Sequence, residues 1–339
     1  MAFAPFVPLR VLSSYSMLEG AIDPKAIAKL AKERSFPAIA ICDRNGLYGS
    51  TMFASACMDM GVQPLIGTLL GVIRDDGEVV DHLPLIAQDE EGWNNLCHLV
   101  SRAHLDRPLE REPHVRMADL AGHTDSLIAL SGASEGALTR LLADGKERRA
   151  HDLAQQLSAL FPGRFYIELA RRGEAVEEAA EAGLIDLAYA QQLPLVATNP
   201  ANFAEPHQHS AHDAMLCIAN SSQIDSSDRP TSNPQAFVKS ARMMDELFAD
   251  LPEAVANTLV IAQRCGFAPP RRKPILPSLA GDLEGEGRML EEDARRGLAK
   301  RLELYGELSD EELKVYVDRL DFEIGVIQKM GFPGYFLIV

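Results

Sequence analysis

Short apolar, β-branched runs alternate with helical patterns along this 339-residue chain, and that alternation restricts its architecture more than any other feature. The runs are Phe6 to Leu12, Ala38 to Cys42, Pro64 to Ile73, Leu83 to Ala87, Leu127 to Ser131, Phe165 to Leu169 and Leu195 to Thr198. Helical periodicity lies between most of them. In one such segment Asp23 can cap a helix with Pro24 at its first position, and Ile27, Leu30 and Ala31 fall on one face before Arg34. Strands separated by helices or long connections favour a parallel sheet, because parallel neighbours need a crossover rather than a tight turn. The expectation is an α/β fold built on a parallel sheet, and periodicity leaves open whether the sheet closes into a barrel.

With 47% apolar residues the chain can bury one large core and support an appendage. A joint is expected near residue 270, where Pro269, Pro270, Pro274 and Pro277 disfavour helix and sheet and a polar, glycine-rich stretch from Gly281 to Gly287 follows. This divides the chain into residues 1–270 and 271–339. In the second part, Met289 to Tyr305 and Glu311 to Met330 read as helices. The latter opens on a capping box of Ser309 and Glu312, ends at Gly331, and carries a stripe of Leu313, Val317, Leu320, Ile324 and Ile327. The sequence then stops in an apolar run from Gly331 to Val339, which suggests truncation of a longer protein and an exposed surface prone to self-association.

A formal charge of -16 argues against strong nonspecific binding of nucleic acid by this segment, since displacing counterions from phosphates needs clustered Lys and Arg. Cys42, Cys57, Cys97, Cys217 and Cys265 are odd in number and widely spaced, which points to neither a disulfide framework nor a zinc knuckle and is consistent with the reducing cytoplasm. No apolar run is long enough to cross a bilayer, so no membrane partner is expected.

Several local patterns admit a functional and a plainer reading. Gly132-Ala-Ser-Glu-Gly136 follows an apolar run and precedes a helical one, as a nucleophile elbow with Ser134 would, yet the same residues suit any strand-to-helix turn. His207, His209 and His212 could hold a metal, or could be solvated or cap the helical run that follows. Trp93 suits a packing anchor on a helix with Leu96 and Leu99 better than a ligand platform. The basic cluster Arg271, Arg272 and Lys273 could meet a phosphate, or could be a solvated joint between prolines.

The stretch from Leu9 through Arg10, Leu12 and Glu19 to Gly20 resembles the opening of the polymerase-and-histidinol-phosphatase (PHP) domain at the front of bacterial DNA polymerase III α subunits. Pro37 to Gly49, Gln63 to Gly67, Pro194 to Asn199, Leu247 to Ala254 and Gly331 to Val339 continue the likeness in collinear order. It implies a distorted (β/α)7 PHP barrel to about residue 270, then a short, mostly helical segment leading into the polymerase palm. It also implies a part in DNA replication, with the nucleotidyl-transfer carboxylates and their Mg²⁺ beyond Val339, so that this piece alone polymerises nothing. The implied partners are the proofreading exonuclease subunit and the remainder of the polymerase chain, with DNA met through other domains.

In metal-binding PHP domains a ring of ligands sits at the strand ends. By the resemblance, Arg10 and Leu12 stand at histidine positions and Glu19 keeps an acidic one. Asp43 is retained, Arg44 replaces a histidine, Leu69 an acidic ligand, His82 is kept, Arg172 replaces a histidine, and Pro200 and Asn202 replace the last Asp-x-His. Imidazole and carboxylate donors hold such ions, and guanidinium and alkyl groups do not. The expectation is therefore a catalytically silent scaffold without a metal, in which Arg10, Arg44 and Arg172 face Glu19 and Asp43 as fixed cations. The alternative is a metal-dependent phosphoesterase or 3'-5' exonuclease with a reduced site of Glu19, Asp43 and His82.

Overall fold

The computed structural model describes residues 3–74, 77, 79–270, 272 and 275–339, in two compact units of residues 1–270 and 271–339. Arg271 and Lys273 of the basic cluster lie outside the described residues.

The first unit runs α1 (Pro24–Glu33), β1 (Ala38–Arg44), α2 (Ser50–Met60), β2 (Gln63–Ile73), β3 (Val80–Ala87), α3 (Glu90–Leu105), β4 (Val115–Arg116), β5 (Leu127–Leu130), α4 (Ala137–Ala143), α5 (Glu147–Leu160), β6 (Phe165–Ala170), α6 (Ala175–Gln191), β7 (Leu195–Thr198), α7 (His209–Ala219), α8 (Ala241–Leu247) and α9 (Pro252–Gln263). The sheet order is β1-β2-β3-β5-β6-β7, with β4 paired to the end of β2. The sheet is mixed rather than parallel, because β3 runs antiparallel to both β2 and β5. The reason is length: residues 74–79 are all that separate β2 from β3, and a parallel crossover takes about a dozen residues or more.

The run from Phe6 to Leu12, expected as a strand, forms no regular one, but it does a strand's work at the seam. Pro8 and Val11 carbonyls accept from Ala40 and Cys42 of β1, while on the other side, just past β7, Leu12 N–H donates to the Ala201 carbonyl and Ala201 N–H to the Arg10 carbonyl. The sheet thus curls into a distorted barrel. Both of its faces are buried, which is why its strands read as continuous apolar runs. Val7, Leu9, Ala38, Ala40, Leu65, Ile86, Ile128, Leu130, Tyr166 and Val196 fill the inside, and Ile261, Ala262 and Cys265 from α9 and its end pack with them. One step along β6 and β7 from that apolar layer, on the same face, stand Glu168 and Thr198, and there the interior turns polar.

The second unit holds α10 (Leu283–Leu302), α11 (Asp310–Met330) and α12 (Pro333–Ile338). Ser309 and Glu312 form the expected capping box on α11, and Gly331 ends it at φ 74°. Within the stripe Ile324 is buried, while Val317, Leu320 and Ile327 are half-buried. The last apolar run is the short helix α12.

Candidate functional site

Arg10 is the largest wholly buried side chain in the barrel. Its Nη1 donates to both oxygens of Glu168 at 2.9 and 3.0 Å, and its Nη2 to Glu135 Oε2 at 3.0 Å. Glu168 has no solvent-exposed side-chain surface and is completed by the Gly132 backbone N–H at 2.9 Å and the Thr198 hydroxyl at 2.6 Å. Burial works to discharge Arg10, but Glu168, the Cys42 thiol and Glu135 together more than offset it, and its pKa is raised. A buried charge persists in this way only when it is paired and hydrogen-bonded.

Arg44, at the end of β1, is the second hub. Each of its guanidinium nitrogens has its own partner: Nε donates to Glu19 Oε2 at 2.6 Å, Nη1 meets His82 Nε2 at 2.8 Å, and Nη2 donates to Glu135 Oε1. Glu135 therefore bridges the two arginines, and an alternating chain Glu19–Arg44–Glu135–Arg10–Glu168 runs across the barrel mouth. Burial pushes the Glu135 carboxyl up, but Arg44 and Arg10 hold it down at about 2. Burial and the Arg44 charge push His82 down to about 4, so at neutral pH it is an uncharged acceptor for Arg44. His82 reaches this end of the barrel because it lies near the start of antiparallel β3, opposite Gly71 of β2.

The remaining ring positions divide. Among the described residues Asp43 meets no arginine: it accepts from Ser13 N at 2.7 Å, Ser13 Oγ at 2.7 Å and Ser16 Oγ at 2.8 Å, with burial raising its pKa against those bonds. Arg172 turns to Glu174 and Glu177 at 2.8 and 3.1 Å, not to Glu19 or Asp43. The expected pairing is thus found for Arg44 with Glu19 alone. Leu12, Leu69 and Pro200 are buried, and Asn202 donates through Nδ2 to the Glu19 carbonyl at 3.2 Å.

Glu135 and Glu168 were invisible as site residues in the sequence reading. Glu168 had a signal, a lone carboxylate inside the apolar run of β6, which demands a buried cation. Glu135 was hidden inside the pattern that looks like a nucleophile elbow. Ser134 of that pattern accepts a hydrogen bond from Arg172 Nη2 at 2.8 Å and has no histidine among its hydrogen-bond partners. His209 and His212 both hold Ser232, through its carbonyl at 2.9 Å and its hydroxyl at 2.6 Å, and His212 Nε2 also bonds the Glu19 carbonyl at 2.7 Å. His207 is exposed. Trp93 packs against Phe267, with ring centroids 6.0 Å apart.

The donor set does not fit a hydrolytic metal centre. Glu19, Glu135 and His82 offer their donor atoms to a guanidinium, and the oxygens of Asp43 face three serine donors. Among the described residues no group of three or more His, Cys, Asp or Glu is placed to hold a metal ion, and no helix is long and apolar enough to cross a membrane.

A PHP domain model matches residues 8–172. DNA polymerase III subunit alpha of Caulobacter vibrioides is 46% identical over 98% of this chain and 30% of its own length. The corresponding proteins of Rickettsia bellii and Pseudomonas aeruginosa are 36% and 35% identical, each over 98% of this chain and 29% of their own. The chain spans less than a third of the length of these curated relatives.

Proposed function

The chain carries a PHP domain and corresponds along 98% of its length to the N-terminal region of DNA polymerase III α subunits, and from that premise we propose that its barrel is a metal-free scaffold within a cytoplasmic replicative polymerase. Nucleotidyl transfer and its Mg²⁺ belong to other parts of the polymerase, and the barrel contributes a firm surface for the rest of that chain and for the proofreading exonuclease subunit. The observation that carries this reading is the occupancy of Arg44: Glu19, His82 and Glu135 each bind a different nitrogen of one guanidinium. A divalent ion would have to displace a cation that cannot be neutralised by deprotonation.

The test is metal analysis of the purified chain together with nuclease and phosphatase assays in Mg²⁺, Mn²⁺ and Zn²⁺. The expected result is sub-stoichiometric metal and no chelator-sensitive hydrolysis. Stoichiometric Zn or Mn with hydrolysis abolished by chelator would overturn the proposal and establish the reduced-site phosphoesterase. A primer-extension assay on the same sample checks the second half, and extension by this chain alone would place the polymerase carboxylates within it.

A further inference from the structure

The helix α3 and the segment leading into β5 run side by side in opposite directions, joined by a row of polar links. Glu91, Asn95, His98 and Arg102 recur at helical spacing, which places them along one face of α3. They meet Ser126, Asp125, His123 and Asp119 in that order. Ser126 Oγ donates to Glu91 Oε2 at 3.3 Å and to Asp89 Oδ2, just ahead of the helix, at 2.9 Å. Asn95 Nδ2 donates to the Asp125 carbonyl at 2.9 Å, and Arg102 Nη2 lies 3.3 Å from Asp119 Oδ1. Between these last two links the His98 and His123 rings stack, with centroids 3.8 Å apart and planes 21° from parallel.

Of these links only the imidazole pair responds to protons near neutrality, since amides, guanidiniums and carboxylates ordinarily titrate outside pH 5 to 8. Two neutral rings attract by dispersion, and two imidazoliums at this separation repel. His123 is half-buried, and burial, then His98, then Arg102 push its pKa below the usual histidine value. The charged groups around the stack are Asp89, Glu91 and Arg102 along α3, Asp119 on the short 3-10 turn Met117–Leu120, Asp125, and Arg164 ahead of β6. Arg102 holds Asp119 and Arg164 holds Asp125, at 3.3 Å each.

Both flanks of the histidine turn are anchored. Leu120 is wholly buried, and Arg164 Nη1 donates to the Thr124 carbonyl at 2.8 Å. Between them Ala121 and Gly122 are exposed, and Gly122 stands at φ 80°, which gives the turn a hinge. We propose that His98 and His123 form a proton-operated clasp, which holds the turn of residues 121–123 on α3 at neutral pH and releases it in mild acid. The released rings take up protons that the stacked rings refuse, so docking is complete above the ordinary histidine range and is lost as pH falls through and below it. The device does not depend on whether the barrel holds a metal.

Hydrogen–deuterium exchange of the whole chain, followed by mass spectrometry at pH 7.5 and 5.5 and corrected for intrinsic rates, tests the clasp. The amides of Ala121 and His123, bonded to the Ala118 and Leu120 carbonyls, report on the turn. In the parent, exchange in residues 117–127 should quicken about threefold or more at pH 5.5, while β6 keeps its protection. His98→Gln removes one titrating ring and should flatten that dependence. Asn95→Ala removes a link without proton chemistry and should quicken exchange equally at both pH values. Parent exchange that ignores pH, a dependence undiminished in His98→Gln, or equal quickening in β6 would overturn the clasp. Unchanged exchange in Asn95→Ala would also overturn it, by showing that the row of links does not hold the segment.

Discussion

Replacing Arg10 with methionine tests the ion chain at its most buried link. The change removes three guanidinium–carboxylate bonds of 2.9 to 3.0 Å and leaves the Glu168 carboxyl without solvent, with only the Gly132 N–H and the Thr198 hydroxyl for partners. Removing one partner of a buried pair costs about 3–5 kcal/mol, most of it the stranded charge. Spread over a unit of the size of residues 1–270, this lowers the melting temperature by roughly 5–9 °C. Urea unfolding followed by circular dichroism at pH 7.5 gives the free energy, and a thermal melt gives the shift. The double variant Arg10→Met/Glu168→Gln should recover a large part of the loss, because an amide can keep accepting from Gly132 without an unpaired charge. A loss under about 1 kcal/mol for Arg10→Met, or a double variant no more stable than the single one, would refute the reasoning that buried charge pairing holds the mouth together.

Gly20→Ala should destabilise the chain by about 1–3 kcal/mol or more, since a Cβ there would lie 2.0 Å from the Ser13 carbonyl oxygen, and urea unfolding checks it. Acid should erode stability in two windows. His82 has its pKa lowered from 6.5 to about 4, so as pH falls through that interval the unfolded chain takes up a proton that the folded one refuses, at a cost of roughly 3 kcal/mol by pH 4 that His82→Asn abolishes. Below it, Glu135, lowered from 4.5 to about 2, gives a further loss as pH falls through its own interval, and a pH series of urea melts resolves both. Arg44→Ala should expose Glu19, His82 and Glu135 as a vacant donor set, so that Mn²⁺ or Zn²⁺ raises the melting temperature of the variant but not of the parent.

Much of the fold was legible because burial on both faces of the sheet leaves a plain trace. The runs at residues 38–42, 64–73, 127–131, 165–169 and 195–198 each coincide with a strand within a residue or two. The capping box at Ser309 and the proline-led start of α1 are local devices and were equally readable. The direction of β3 was missed although the short link before it was in plain view, because the alternation rule outweighed loop length. The segment from Phe6 to Leu12 also departed from expectation: it bonds to two neighbours without regular strand geometry, and Pro8 supplies a carbonyl but no N–H to such a ladder.

The sequence by itself determined strands alternating with helical segments, and its resemblance to metal-binding PHP domains implied that Arg10, Leu12 and Arg44 stand at histidine positions while Glu19, Asp43 and His82 are kept. It could not assign the arginines to their carboxylates. Those bonds join residues 25, 91, 125 and 158 positions apart, a distance over which composition and periodicity carry no information. Only the tertiary structure decided that Glu135, carried on the turn after β5, would stand between two arginines. It alone showed that Asp43 would turn to serines and Arg172 to α6 instead. Pairing among buried charges is settled by which groups the closed barrel desolvates together, and that is a property of the assembled fold.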